Sequence, residues 1–232
     1  MTFFFVLLLC LSCQPRVQQA VSPCPSDMGY IAPINHQVSW GEIQPNQSWH
    51  LPEQQRRLSP FCMDRYEYPN QSGVIPLSNV TWEEANRICS SHQKRLCTEE
   101  EWSLACRGAE KRSYSYGTVR KSGICNTEIQ RSDSMVKSAP SGSFADCRTP
   151  EGIFDLNGNV SEWVVNDWRA FDHNQKRWKK RKAGYKTLRG GTMWKQTHYG
   201  QDCTSRHGHH RSDWQNHDDG FRCCLSISAS LP

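Results

Sequence analysis

Twelve of the 232 residues are cysteine, at positions 10, 13, 24, 62, 89, 97, 106, 125, 147, 203, 223 and 224, and beyond Cys13 no two form a CxxC pair. Zinc ribbons and thioredoxin-type redox sites need such pairs, so this spacing argues against both. Dispersed cysteines predict structural disulfides and an oxidising compartment. The alternative is that some cysteines stay free or bind metal. A stapled chain can carry long ordered loops and little regular secondary structure.

The N-terminus agrees with export. Phe3 to Leu11 is an apolar run too short to span a bilayer, and it suits the h-region of a signal peptide. Leu9-Cys10-Leu11-Ser12-Cys13 resembles a bacterial lipoprotein cleavage box, with Cys13 as the lipidated residue. Ordinary cleavage somewhere before Cys24 is the other reading. Either cut leaves ten cysteines, Cys24 to Cys224, enough for five bridges. The predicted organisation is a signal peptide over 1–13, an irregular tether over 14–58 rich in Gln, Pro and Ser, and a folded domain over 59–232.

Net charge is +5, but seven basic residues fall between Lys176 and Lys186. That run reads first as a solvated insertion and second as a contact for anionic lipid or polysaccharide. A single local run does not make a nucleic-acid-binding surface, so no nucleic-acid partner is expected.

Phe61 to Tyr68 alternates roughly like a strand. Thr81-Trp82-Glu83-Glu84 and Thr98-Glu99-Glu100-Glu101 are two capping boxes. The first helix places Trp82, Ala85, Ile88 and Cys89 on one face; the second presents Trp102, Ala105 and Cys106 and stops at Gly108. Residues 113–150 read as loop. Thr187 to Trp194 and Gly220 to Leu225 read as strands. Two short helices with several short strands define an α+β domain.

Val80-Thr81-Trp82 with Lys94 to Trp102, Ala105-Cys106-Arg107-Gly108, Phe154 to Trp163, Arg189-Gly190-Gly191-Thr192, Cys203 to Arg206, and Gly220-Phe221-Arg222-Cys223 follow one another in order. Together they resemble the blocks of the formylglycine-generating enzyme, or sulfatase-modifying factor, family. The resemblance implies a compact α+β fold with C-type-lectin-like features. It also implies two disulfides, Cys89–Cys223 and Cys106–Cys203. Adjacent strand residues face opposite sides, so Cys224 needs a partner away from that of Cys223. Cys97 on the link between the helices is assigned to it. Cys125 and Cys147 flank one loop and are paired, which leaves Cys24 with Cys62.

The resemblance further implies structural Ca²⁺. Asp155 and Glu162 would supply carboxylates, with the Gly158 and Val160 carbonyls, and Asn126 with the Thr127 carbonyl would form a second site. An ordinary turn with Asx hydrogen bonds is the plainer reading of Asp155 to Asn159. Members that make formylglycine hold Cu(I) with two cysteines between the "RGG" block and the block at Cys203. Those positions fall here on Met193 and His198, or on Lys195 and Gly200, depending on the end from which they are counted. No cysteine lies between Arg148 and Asp202, so the pair is absent under any alignment and no copper is expected.

The first functional expectation is therefore an exported, monomeric binding or accessory domain that does not generate formylglycine. It would recognise a protein, peptide or glycan through Trp194, His198, Tyr199, Arg206, His209 and Trp214, and would touch a membrane only through a lipid anchor. The plain reading of Trp194 and Trp214 is core. The alternative function is a metal-dependent oxidoreductase of the same fold, using a site built from His198, His207, His209, His210 and His217.

Overall fold

The computed structural model describes residues 22–38, 41–44, 47–50, 54–128, 138–169, 171–172, 174–175, 177–179, 183–193 and 201–227. Strands β1 (Met28–Ile31), β2 (Ile34–Val38), β3 (Gly41–Gln44), β4 (Gln47–His50), β5 (Gln54–Leu58) and β6 (Phe61–Asp64) precede helix α1 (Trp82–Ser91). Then come β7 (Arg95–Leu96), helix α2 (Glu99–Arg107), β8 (Ser161–Asp167), β9 (Phe171–Asp172), β10 (Arg177–Trp178), β11 (Tyr185–Arg189), β12 (Arg206–Arg211), β13 (Asp219–Phe221) and β14 (Cys223–Ser226).

Two four-stranded sheets organise the domain, in the orders β1-β6-β14-β7 and β12-β11-β8-β13. The first is antiparallel throughout; in the second, β13 runs parallel to β8. Both capping boxes form, with Thr81 and Thr98 each accepting from the backbone N–H three residues on and Glu84 and Glu101 reaching back. Helix α2 is buried along almost its whole length, including Trp102, Leu104, Ala105 and Cys106. Gly108 ends it at φ 62°. Trp163, Leu188 and Phe221 pack with α1 in a second apolar cluster.

Two expectations need correction. Residues 14–58 do not form an irregular tether throughout. Strand β1 pairs with β6, and β2 with β5 and β3 with β4 form nested antiparallel ladders. Met28 is buried, and Cys24 is bonded to Cys62, so the folded unit begins near residue 24. Backbone pairing supplies these strands where polar composition hides their period. The expected strand over 220–225 is in fact two, β13 and β14, interrupted at Arg222. The break lets one segment join both sheets and turns the Arg222 side chain into the interior.

Five disulfides close: Cys24–Cys62, Cys89–Cys223, Cys97–Cys224, Cys106–Cys203 and Cys125–Cys147. These are the five pairs named from the sequence. Cys223 reaches α1 while Cys224 reaches the start of α2, as opposite strand faces require. Three bridges span 134, 127 and 97 residues. Closing loops of that size is worth about 4–5 kcal/mol each in the chain-entropy view, without simple additivity. No helix among the described residues is long and apolar enough to cross a membrane.

Candidate functional site

The turn from Asp155 to Glu162 is the organising feature between the helices and the second sheet. Asp155, Gly158 and Asn159 all have positive φ, at 60°, 89° and 61°. A side chain at position 158 would collide with the Asn126 carbonyl, so glycine is required there. Asn159 donates its backbone N–H to the Asn126 carbonyl at 2.9 Å, and its Oδ1 accepts from Asn126 Nδ2 at 2.9 Å. Asn157 Oδ1 accepts the Ser115 N–H at 2.7 Å, while its Nδ2 donates to the Gln201 carbonyl at 2.9 Å. The turn thereby locks together four segments distant in sequence.

Buried charge surrounds it. Arg222 donates to Glu162 through Nε at 2.8 Å and Nη2 at 2.7 Å. Its remaining hydrogen bonds go to the Phe154, Asp64 and Arg65 carbonyls. Trp102 Nε1 also donates to Glu162 Oε2, at 2.7 Å. Glu67, fully buried, accepts from Ser141 Oγ, Asn159 Nδ2 and the Val160 N–H. Burial, reinforced by the nearby Asp155 carboxylate, pushes Glu67 well above the usual carboxylate range. Burial pushes Asp155 up to about 6, against the Gly142 N–H that its Oδ2 accepts at 2.7 Å.

Of the residues expected to hold Ca²⁺, Glu162 has both of its oxygens engaged by other groups. Both Glu162 oxygens already accept strong hydrogen bonds, and the Arg222 cation occupies the position beside them. Asn126 donates its Nδ2 to Asn159, and the Thr127 carbonyl accepts from Gln201 Nε2 at 3.0 Å. Hard-cation sites need several oxygens converging on open space. Among the described residues, no three His, Cys, Asp or Glu side chains converge in a way that could hold a metal.

Of the positions aligned with the copper thiolates, Met193 is fully buried and donates its backbone N–H to the Asn159 carbonyl at 3.0 Å. Lys195, His198 and Gly200 lie outside the described residues, as do Trp194 and Tyr199. Cys203, the nearest cysteine, is bonded to Cys106.

Arg206 does not belong on a binding face. It is 7% exposed, donates to Glu99 at 2.6 Å and to the Arg169 carbonyl at 2.7 Å, and lies over the Trp168 ring. Glu99, at the start of α2, also pairs with the buried Arg189. Arg206 is thus part of a buried charge cluster, which its position within a polar stretch of sequence did not reveal. The backbone of His209 lies in β12. Trp214 is 46% exposed and stacks on His210 with ring centroids 5.1 Å apart. His210 in turn meets the edge of the buried Trp163.

This arrangement is a sparsely regular α+β domain, built on a glycine–asparagine turn and closed by five bridges. It is the formylglycine-generating-enzyme fold. Residues 67–227 match the sulfatase-modifying factor enzyme 1-like domain, and the chain belongs to that family. PvdO from Pseudomonas aeruginosa superposes with a TM-score of 0.64 at 17% identity, over 86% of this chain and 94% of that one. Treponema denticola variable protein 1 does so at 0.61 and 18%, over 85% and 94%. In sequence, the chain is 29% identical over 109 residues to the inactive C-alpha-formylglycine-generating enzyme 2 of Bos taurus, covering 44% of this chain and 36% of that protein. It is 29% identical over 164 residues to the formylglycine-generating enzyme of Thermomonospora curvata, covering 66% and 49%. It is 31% identical over 163 residues to the serine/threonine-protein kinase pkn1 of Chlamydia caviae, covering 66% and 24%. The chain thus spans between 24% and 49% of the length of these curated relatives.

Proposed function

We propose that this chain is an exported, non-catalytic member of its family, acting as a binding or accessory domain and not as a formylglycine synthase. One observation carries the reading: no cysteine occurs between Arg148 and Asp202, and Cys203 beside that span is closed onto Cys106. Two thiolates are the soft, anionic ligands that Cu(I) chemistry needs, and a thioether with an imidazole does not replace them. Overall similarity does not decide the matter, because relatives of equal identity carry both active and inactive names.

Five disulfides suit an oxidising compartment, which supports export. The Trp214–His210 stack is the described part of the recognition face. Exposed aromatics contribute most at interfaces, and a protein, peptide or glycan is the partner class they suit.

The test is a mass-spectrometric assay with a Cys-x-Pro-x-Arg peptide, Cu(I) and O₂. The expected result is no loss of thiol mass above the no-enzyme control. Copper-dependent turnover would overturn the reading.

A further inference from the structure

The exposed indole of Trp214 is held more firmly than its position at a turn requires. It closes the turn that follows β12, with its backbone N–H on the Arg211 carbonyl at 2.9 Å. Neighbouring segments pin that turn: the Ser212 N–H donates to the Gly184 carbonyl at 2.8 Å, and the Trp82 N–H donates to the Ser212 carbonyl at 3.0 Å. The Asn79 and Asp219 N–H groups both donate to the Asn216 carbonyl at 3.0 Å. The side chain is fixed as well. It donates a hydrogen bond to the buried Asp219 carboxylate, and one ring face lies on His210, 21° from parallel. His210 is itself backed by Trp163, which is fully buried. A tryptophan so anchored, and still 46% exposed, offers a rigid flat surface at little cost in side-chain entropy.

The groups beside the ring are polar, and their charges cancel. Arg211 and Asp213, in the same turn, are both well exposed and pair with each other at 3.1 Å. Lys186, the cross-strand neighbour of His210, donates to Asp167 at 2.8 Å and lies over the Trp82 ring. Each of these cations is already matched by a carboxylate, so nothing in the pair selects an anion. Asn216 Oδ1 accepts the His217 N–H at 2.9 Å. A peptide anchor of the usual kind enters a desolvated apolar pocket. Trp214 stands instead among planar hydrogen-bonding side chains. A pyranose with equatorial hydroxyls is the complement of such a surface. Its flat face of C–H groups, faintly positive, meets the negative face of the indole, and its rim of hydroxyls meets guanidinium, carboxylate and amide groups.

We propose that Trp214 is the stacking platform of a carbohydrate site, which takes a neutral oligosaccharide of β-linked, equatorially substituted pyranoses. One sugar ring lies on the indole face opposite His210, and its hydroxyls meet the Arg211–Asp213 pair and the Asn216 side chain. The site lies on the recognition face proposed above, so it rests on that reading and narrows its partner to a glycan. Because the ion pair is exposed, it can share its hydrogen bonds with sugar hydroxyls without stranding a buried charge.

Isothermal titration of the mature chain with cellohexaose, chitohexaose and sorbitol tests the proposal. Saturable binding of at least one hexasaccharide is expected, and none of sorbitol, which carries hydroxyls but no ring face. Trp214→Ala should weaken binding about tenfold or more, whereas Trp214→Phe keeps a flat ring and should lose only severalfold. Arg211→Ala removes an exposed pair that adds little to stability, so it should leave the melting temperature unchanged and weaken binding severalfold. Absence of saturable binding of both hexasaccharides, or sorbitol binding as well as they do, would overturn the proposal. Equal affinity in Arg211→Ala and the parent would also overturn it, even if Trp214→Ala fails to fold. A chain that binds no sugar and converts no peptide would lose the glycan and keep its non-catalytic role; copper-dependent turnover in a sugar-binding chain would do the reverse.

Discussion

Arg222 and Arg112 are both buried arginines, and they end in opposite conditions. Arg222 donates to both Glu162 oxygens and to three backbone carbonyls. Arg112 donates one nitrogen to Glu110, ion-pairs with Glu151 at 3.6 Å, and keeps its Nε and Nη2 buried without a hydrogen bond among the described residues. The first residue is a structural tie between the two sheets. The second is held between two partly exposed carboxylates and keeps buried donors that no acceptor meets among the described residues. Burial alone would group them together; the account of their donors separates them.

The sharpest way to break this comparison is truncation. Arg222→Ala strands Glu162 as an uncompensated buried carboxylate, and should cost about 3–5 kcal/mol. Arg112→Ala should cost markedly less, because its neighbours Glu110 and Glu151 are both partly solvated. Denaturant unfolding of both variants decides the matter, and equal losses would give Arg112 a structural role. Next in size is the Cys97–Cys224 bridge, replaced by alanine at both positions. It should lower stability by about 2–5 kcal/mol, since it closes a long loop. A loss below 1 kcal/mol would mean that the neighbouring Cys89–Cys223 bridge already restricts the unfolded chain.

How far these features could be read in advance follows from their range along the chain. The two capping boxes are local, four-residue signals, and both formed at the expected residues. The absence of the copper thiolates needed only the cysteine positions. The N-terminal hairpins were hidden because residues 34–58 are rich in Gln and carry no alternating apolar pattern. Arg206 was misplaced because its partner Glu99 stands 107 residues away. The Arg222–Glu162 pair, 60 residues apart, left no local mark either. The loops beyond α2 are brought together by the Asn157 side chain and the Cys125–Cys147 bridge. Composition could not show that convergence.

The smallest expected effect concerns a third buried charge, the carboxylate of Asp219 at the start of β13. It is 3% exposed; its Oδ2 has no hydrogen-bond partner, and Asp218 lies beside it. Burial, followed by repulsion from Asp218, pushes its pKa well above the usual carboxylate range, against a hydrogen bond from Trp214. The folded chain therefore holds this proton more tightly than the unfolded chain. The resulting stabilisation is complete below the ordinary Asp value of about 4 and is lost as pH rises through the folded value. Asp219→Asn removes this titration. The variant should gain on the parent between pH 5 and pH 8, by on the order of 1 kcal/mol or about 2–4 °C in melting temperature, with the gain shrinking toward pH 4. Melting curves of parent and variant across that pH range provide the check. Parallel curves would show that Asp219 is ionised in the folded chain and that its burial is compensated.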